Sequence, residues 1–331
     1  MSPPLPRLIA CLALASASFA SPSLAQDNPT LPVAAAASGR PRECGPDRQR
    51  PDQGWHVNFW DGVRQPLLRR YCDLLGRAQA RLASSPDVAR EAAGLADQIL
   101  PGHAAPWVLH GRANVLMGDY AHAVGDFDRA KTIDPRSVED PQALVDMAAA
   151  LRRAGKPDDA LAAYRILVTR LGLLPSPETR VHVILEAASL AMSRGASGLP
   201  EAVAILREGV RQPLTRYDAD VNALLLLALD RSDAPAEAAS LVEHLALTGA
   251  PAALAARDPE SFSYLQQPAE SAAIVAIALE RSDPAASAAA WERYIKSSPA
   301  SPFLAQARRH LELMRKAPKP LPPRKPVPGR P

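Results

Sequence analysis

Apolar residues along this chain recur with a helical period, and short polar stretches rich in Gly, Asp and Pro separate the periodic segments. The clearest stretch runs from Ala104 to Ser137. Large residues (Trp107, Tyr120, Phe127) and small ones (Gly111, Ala123, Ala130) alternate there at helical offsets. Gly118-Asp119 interrupts the segment in the middle and Asp134-Pro135 ends it, as helix stop signals do. The pattern predicts two antiparallel helices packed closely enough for Gly111 to face Ala123.

The same rhythm flanks this unit on both sides. A helix over 63–83 stops at Ser84-Ser85-Pro86-Asp87, and a second runs to Leu100 with Ala89, Ala93 and Ala96 as its small positions. Further units span 141–174 (Ala148, Gly155, Ala160, Tyr164) and 179–212 (Ala188, an enlarged turn at 195–200, Ala202, Leu206, Gly209). Two more span 217–248 (turn at Asp233-Ala234-Pro235, Ala238, Val242) and 268–299 (turn at Ser282-Asp283-Pro284, Trp291, Tyr294). The apolar run Ala223–Leu229 is far too short to span a bilayer and reads as a buried helix. Residues 249–267 break the rhythm with a longer connection, and 301–316 form one charged amphipathic helix suited to closing the end of a stack.

With Trp107, Gly111, Gly118, Tyr120, Ala123, Phe127, Ala130 and Pro135 in register, the 104–137 unit resembles the tetratricopeptide repeat (TPR), a helix–turn–helix of about 34 residues. His110 stands where the family usually has Leu, and Asn114 where it often has Tyr; neither changes a small-residue contact. The resemblance, extended by spacing to the other units, covers about three quarters of the chain. It implies an all-α fold, an α-solenoid of about six helical hairpins with a C-terminal capping helix over 63–316.

It also implies a function. In the family, the first helices of successive hairpins line a groove that holds a segment of another protein. The groove candidates in this sequence are Val108, Arg112, Val115, Val145, Arg152, Arg153, His182 and Leu185. The chaperone-binding subtype clamps a terminal carboxylate with groove Lys and Asn residues, and Val108, Val145 and Ala149 do not supply that set. Arg112, Arg152 and Arg153 would favour an acidic segment of the partner, and replacing them is expected to leave stability nearly unchanged. The plainer account of Arg152-Arg153 is a solvated helix end meeting the C-terminal dipole.

The formal charge of +3 is unevenly spread. Residues 315–331 carry six basic groups and no acid, leaving −4 between 26 and 314. A mildly acidic body with a basic tail lacks the basic stripe of a nucleic-acid binder. The tail 317–331 is Pro-, Lys- and Arg-rich and is expected to be extended and disordered. Its charges suit weak contact with an envelope surface, an inert solvated tail being the plainer account.

Residues 1–25 read as a secretory signal peptide: Arg7, an apolar run from Leu8 to Ala20, and Ser23-Leu24-Ala25 as cleavage site. Leu8-Ile9-Ala10-Cys11 matches a lipoprotein box superficially but precedes the apolar region. Cleavage after Ala25 gives an exported protein, periplasmic or extracellular, with 26–62 as a flexible leader. Only Cys44 and Cys72 then remain. In an oxidising compartment such a pair usually forms a bridge, the alternative being a buried free Cys72 and an exposed Cys44.

No chemistry-bearing motif stands out. None of the seven histidines forms a metal-ligand pair, and neither a phosphate-binding glycine loop nor a G-x-S-x-G elbow is present. The sequence therefore points to a non-enzymatic interaction scaffold of the bacterial cell envelope, without metal or cofactor, whose partner is another protein. The alternative is an envelope chaperone or an accessory subunit of an enzyme or secretion complex.

Overall fold

The computed structural model describes residues 42–44, 66–213, 218–247, 253–254, 256–257 and 262–316. Residues 1–25, expected to be a signal peptide, most of 26–62, expected to be a leader, and 317–331 lie outside the described residues, and so does much of the 249–267 connection. Among the described residues there are thirteen α-helices and no strand.

Six hairpins follow one another. They are α1 (Pro66–Arg81) with α2 (Pro86–Ile99), α3 (Ala104–Leu116) with α4 (Tyr120–Ile133), and α5 (Pro141–Arg153) with α6 (Pro157–Val168). Then come α7 (Pro177–Ser193) with α8 (Leu199–Arg211), α9 (Asp218–Arg231) with α10 (Pro235–Leu247), and α11 (Glu270–Leu279) with α12 (Pro284–Ser297). The helix α13 (Leu304–Lys316) closes the series against α12. Within each hairpin the helices pack on each other, and α2, α4, α6 and α8 each pack on the first helix of the next hairpin. This neighbour-only stacking is an α-solenoid of TPR-like hairpins.

The helix starts are written locally. Pro66, Pro86, Pro141, Pro157, Pro177, Pro235 and Pro284 each open a helix, where the missing N–H costs no hydrogen bond. Asp140, Ser176 and Asp283 accept from backbone N–H groups of the first turns of α5, α7 and α12. The tight turn after α3 needs a left-handed residue, and Gly118 supplies it at φ +79°.

Close approach fixes the second hairpin. A Cβ on Gly111 would stand 3.2 Å from Phe127 Cζ and 3.3 Å from the Ala123 carbonyl oxygen. Ala123, Phe127 and Ala130 are fully buried beneath it. The family-atypical His110 and Asn114 have a partner of their own: Asp126 Oδ2 lies 2.8 Å from His110 Nδ1 and accepts from Asn114 Nδ2 at 2.7 Å. Arg90 of α2 donates to Asn114 Oδ1 at 3.3 Å. The buried apolar residues form two clusters, one from Cys44 to Ala113 and one from Ala123 to Leu311.

Both ends are capped. At the first, a 3-10 turn (Arg42–Cys44) is tied to α1 by the Cys44–Cys72 disulfide, and both cysteines are buried. Tyr71 donates to Glu43 at 2.8 Å, and His103 lies 3.4 Å from the same carboxylate. At the other end α13 buries only Ala307 and Leu311, so polar contacts carry much of its docking. His310 stacks on Trp291 with ring centroids 4.9 Å apart. It sits between Asp230 (3.0 Å) and Glu280 (2.7 Å). Burial disfavours its charge, but the hydrogen bonds to those two carboxylates and their negative charge outweigh it and raise its pKa to about 10.

This packing can be tested at two points. Gly111→Leu should cost about 1–3 kcal/mol, because no space exists between α3 and α4; chemical denaturation of the purified protein measures it, and an unchanged midpoint contradicts the close approach. Because the folded pKa of His310 is raised, its contribution is full below the ordinary histidine pKa and is lost as pH rises through about 10. Hydrogen exchange in α13 should therefore lose protection across that window, and His310→Phe should flatten the pH dependence.

Candidate functional site

The face to consider is the one formed by α1, α3, α5, α7, α9 and α11, the first helices of the hairpins. Val108 and Val115 are half-buried there, packed against the core. Val145 and Leu185 are not groove residues: both are buried, at 6% and 5% exposure, because α5 and α7 turn them into the stack.

The three arginines separate. Arg112 Nε donates to Asp146 of α5 at 2.7 Å, and its side chain is 13% exposed. Arg152 Nε lies 2.9 Å from Glu186 of α7, with the two side chains 12% and 2% exposed. Both are thus committed inside the solenoid, and the expectation that their replacement leaves stability unchanged is corrected on that ground. Arg153, one residue on, is exposed. His182 is open at its surface, yet the protein crowding its ring, and then the charges of Arg152 and Arg153, lower its pKa. The structure therefore gathers Arg152, Arg153 and His182 into one neighbourhood and leaves Arg112 a hairpin away.

Sequence reasoning missed the acids that hold these arginines. Burial raises the pKa of Asp146 against the opposing influence of Arg112. Glu186 is buried, and the hydroxyl of Tyr164, itself fully buried, feels its charge. A signal existed: Arg112 and Asp146 are 34 residues apart, and Arg152 and Glu186 are separated equally. That is one repeat length, so each pair joins consecutive first helices. Arg231 of α9 extends the theme, donating to Glu270 of α11 at 2.7 Å and to Tyr294 at 3.3 Å.

Farther along, the face is covered by the chain itself. The connection between α10 and α11 buries Leu254, Phe262, Tyr264 and Leu265. The Gln266 N–H donates to Ser189 Oγ on α7 at 3.0 Å, and Arg257 pairs with Asp220 of α9. Under this cover the stretch from Val183 to Met192 is buried on every side of its helix.

Among the described residues no group of three or more His, Cys, Asp or Glu is placed to hold a metal ion. No helix there is long and apolar enough to cross a membrane.

No protein-family description matches the chain, and no curated protein does. Among solved structures, it is similar to the crystal structure of the APC/C hetero-tetramer Cut9–Hcn1, at 13% identity and a TM-score of 0.34, over 78% of this chain. The alignment spans only 57% of that protein's length. It is also similar to the flexible tandem repeat domain of a bacterial cellulose synthase component, at 20% identity and a TM-score of 0.23, over 74% of this chain and 96% of that one.

Arg112→Met should cost about 3 kcal/mol near neutral pH, since Asp146 would keep its burial and lose its counter-charge. The loss should shrink in mild acid, because burial raises the carboxyl's pKa and eases its protonation. Denaturation midpoints of both proteins at the two pH values measure it; a cost near zero at both would mean the pair is solvated.

Proposed function

We propose that this chain is a non-enzymatic protein-interaction scaffold, exported to the cell envelope, that holds an extended segment of another protein against its first-helix face. One observation carries the reading. The chain's own connection lies on α7 and α9 in the same way, burying apolar side chains and donating a backbone N–H to Ser189. A face that accepts an irregular segment from its own chain has the chemistry to accept one from elsewhere.

The stretch left for a partner is that of α3 and α5 up to the start of α7. Val108, Val115 and the exposed Leu116 offer apolar area there. Arg153 adds positive charge that no carboxylate of the described residues neutralises by direct contact, beside Arg152. An acidic residue in the partner's segment suits this end, a planar guanidinium being well matched to a carboxylate. Export rests on the sequence of residues 1–25 and agrees with the buried Cys44–Cys72 disulfide, a bond that persists in oxidising compartments.

The test begins with a pull-down from the envelope fraction and continues by titrating the captured protein against wild type and Arg153→Glu at low and high salt. Affinity should fall at least about fivefold in the variant at low salt, and the wild-type affinity should itself weaken as salt rises. Equal affinities for two folded proteins would move the site away from α5.

A further inference from the structure

Positive charge in this chain is concentrated at one end. Residues 308–331 hold eight basic side chains and one acid, a net of +7 in a chain whose formal charge is +3, so the residues before them sum to −4. Half of those cations are built into α13. Ala307 and Leu311 turn inward with Phe303 and Met314 packed beside them, which leaves Arg308, Arg309, Glu312, Leu313, Arg315 and Lys316 exposed. At 3.6 residues per turn these six fall within one arc of about 160°, under half the circumference of the helix. Four cations and one acid therefore share the outward side.

Little inside the protein claims these cations. Lys316 lies 2.6 Å from Glu312, and Arg315 lies 2.7 Å from Glu292 of α12, but all four side chains are more than half exposed, and such solvated pairs are weak. Neither Arg308 nor Arg309 pairs with a carboxylate of the described residues. Leu313 stands at one edge of the same arc, 60% exposed. The face is held from behind: Gln306 donates to the Asp230 carbonyl oxygen at 2.6 Å, and His310 sits between Asp230 and Glu280. It is thus formed before it meets anything.

We propose that the outward face of α13 binds an anionic phospholipid surface, with its arginines among the lipid phosphates and Leu313 inserted at the acyl boundary. Charge complementarity is one half of the argument: a cationic face beside a mildly acidic body is drawn to such a surface while the body is repelled, so the chain attaches by this end. Leu313 is the other half. A soluble polyanion would meet the cations and leave Leu313 in water, whereas the headgroup region takes up both. The four basic residues of 317–331 follow directly in sequence and add to the attraction. The proposal is independent of the groove reading, since no partner protein enters its test.

Co-sedimentation of the purified full chain with vesicles tests it, using phosphatidylcholine with about one third phosphatidylglycerol and pure phosphatidylcholine as the uncharged control. Wild type should bind the anionic vesicles at least about tenfold more tightly than the control and release them as salt rises. Each Lys or Arg near such a surface strengthens binding about fivefold, so Arg308→Gln combined with Arg309→Gln should weaken it at least about tenfold. Leu313→Gln should weaken vesicle binding severalfold and leave binding to heparin, a soluble polyanion, unchanged. All the proteins compared share residues 1–307, so whatever those contribute cancels. The three positions are exposed, and the variants should melt as wild type does. Equal wild-type binding to the two vesicle types overturns the proposal without recourse to any variant. Undiminished vesicle binding in the double arginine variant overturns it too, and so does vesicle binding that Leu313→Gln leaves intact, which would mark a site for soluble polyanions.

Discussion

Everything in this molecule depends on how closely two helix backbones can approach. A hairpin buries little by itself; what makes it a repeat is that a side chain from the next element fills the space above a small residue. Gly111 sets the distance between α3 and α4, and Phe127 is fully buried because that distance is short. Ala148, Ala160, Ala188 and Ala202, each fully buried, provide equivalent contacts down the stack. Large aromatics are then needed only sparingly, which is why a chain with 5% aromatic residues can bury an extended core.

The fold was legible for the same reason. Small-residue spacing, Gly and Pro punctuation and capping side chains are local signals, and the helices start where those signals stand: Pro141 after Asp140, Pro177 after Ser176, Pro284 after Asp283. The site was legible only in outline. Arg112, Arg152 and Arg153 could be recognised as cations on first helices, but whether a cation is free depends on the neighbouring helix. Asp146 and Glu186 answer Arg112 and Arg152 from one hairpin further on, a separation over which helical periodicity says nothing. The cover on α7 and α9 was hidden for a related reason. Phe262, Tyr264 and Leu265 belong to no periodic segment, yet they are buried, and the Gln266 N–H beside them meets Ser189, distant in sequence.

Charge inside the stack divides the labour with apolar packing. The outer helices carry exposed pairs such as Arg165 with Glu201 and Arg207 with Glu237, which contribute little individually in water. On the first helices the pairs are sheltered, and leaving one member unpartnered is costly. These inner pairs also fix which face meets which: Arg231 reaches Glu270 and Tyr294 from beneath the Phe303 ring, 4.3 Å from its centroid, so α9, α11, α12 and the start of α13 are registered together by one side chain. The knot of His110, Asn114 and Asp126 does the same within the second hairpin.

The covalent link at the first end has a mechanical meaning. Cys44 and Cys72 are 28 residues apart, so tension applied through the chain before Cys44 passes straight across the sulfurs into the middle of α1. Close to 95 Å of contour, at about 3.4 Å per residue, is thereby withheld from extension. The first turn of α1, Pro66 to Arg69, lies inside that shielded loop and feels no pull. A tethered molecule would meet force at Cys72, where Tyr71 and Leu75 are buried on either side, and would resist it with the packed body of the first hairpin instead of fraying from its end.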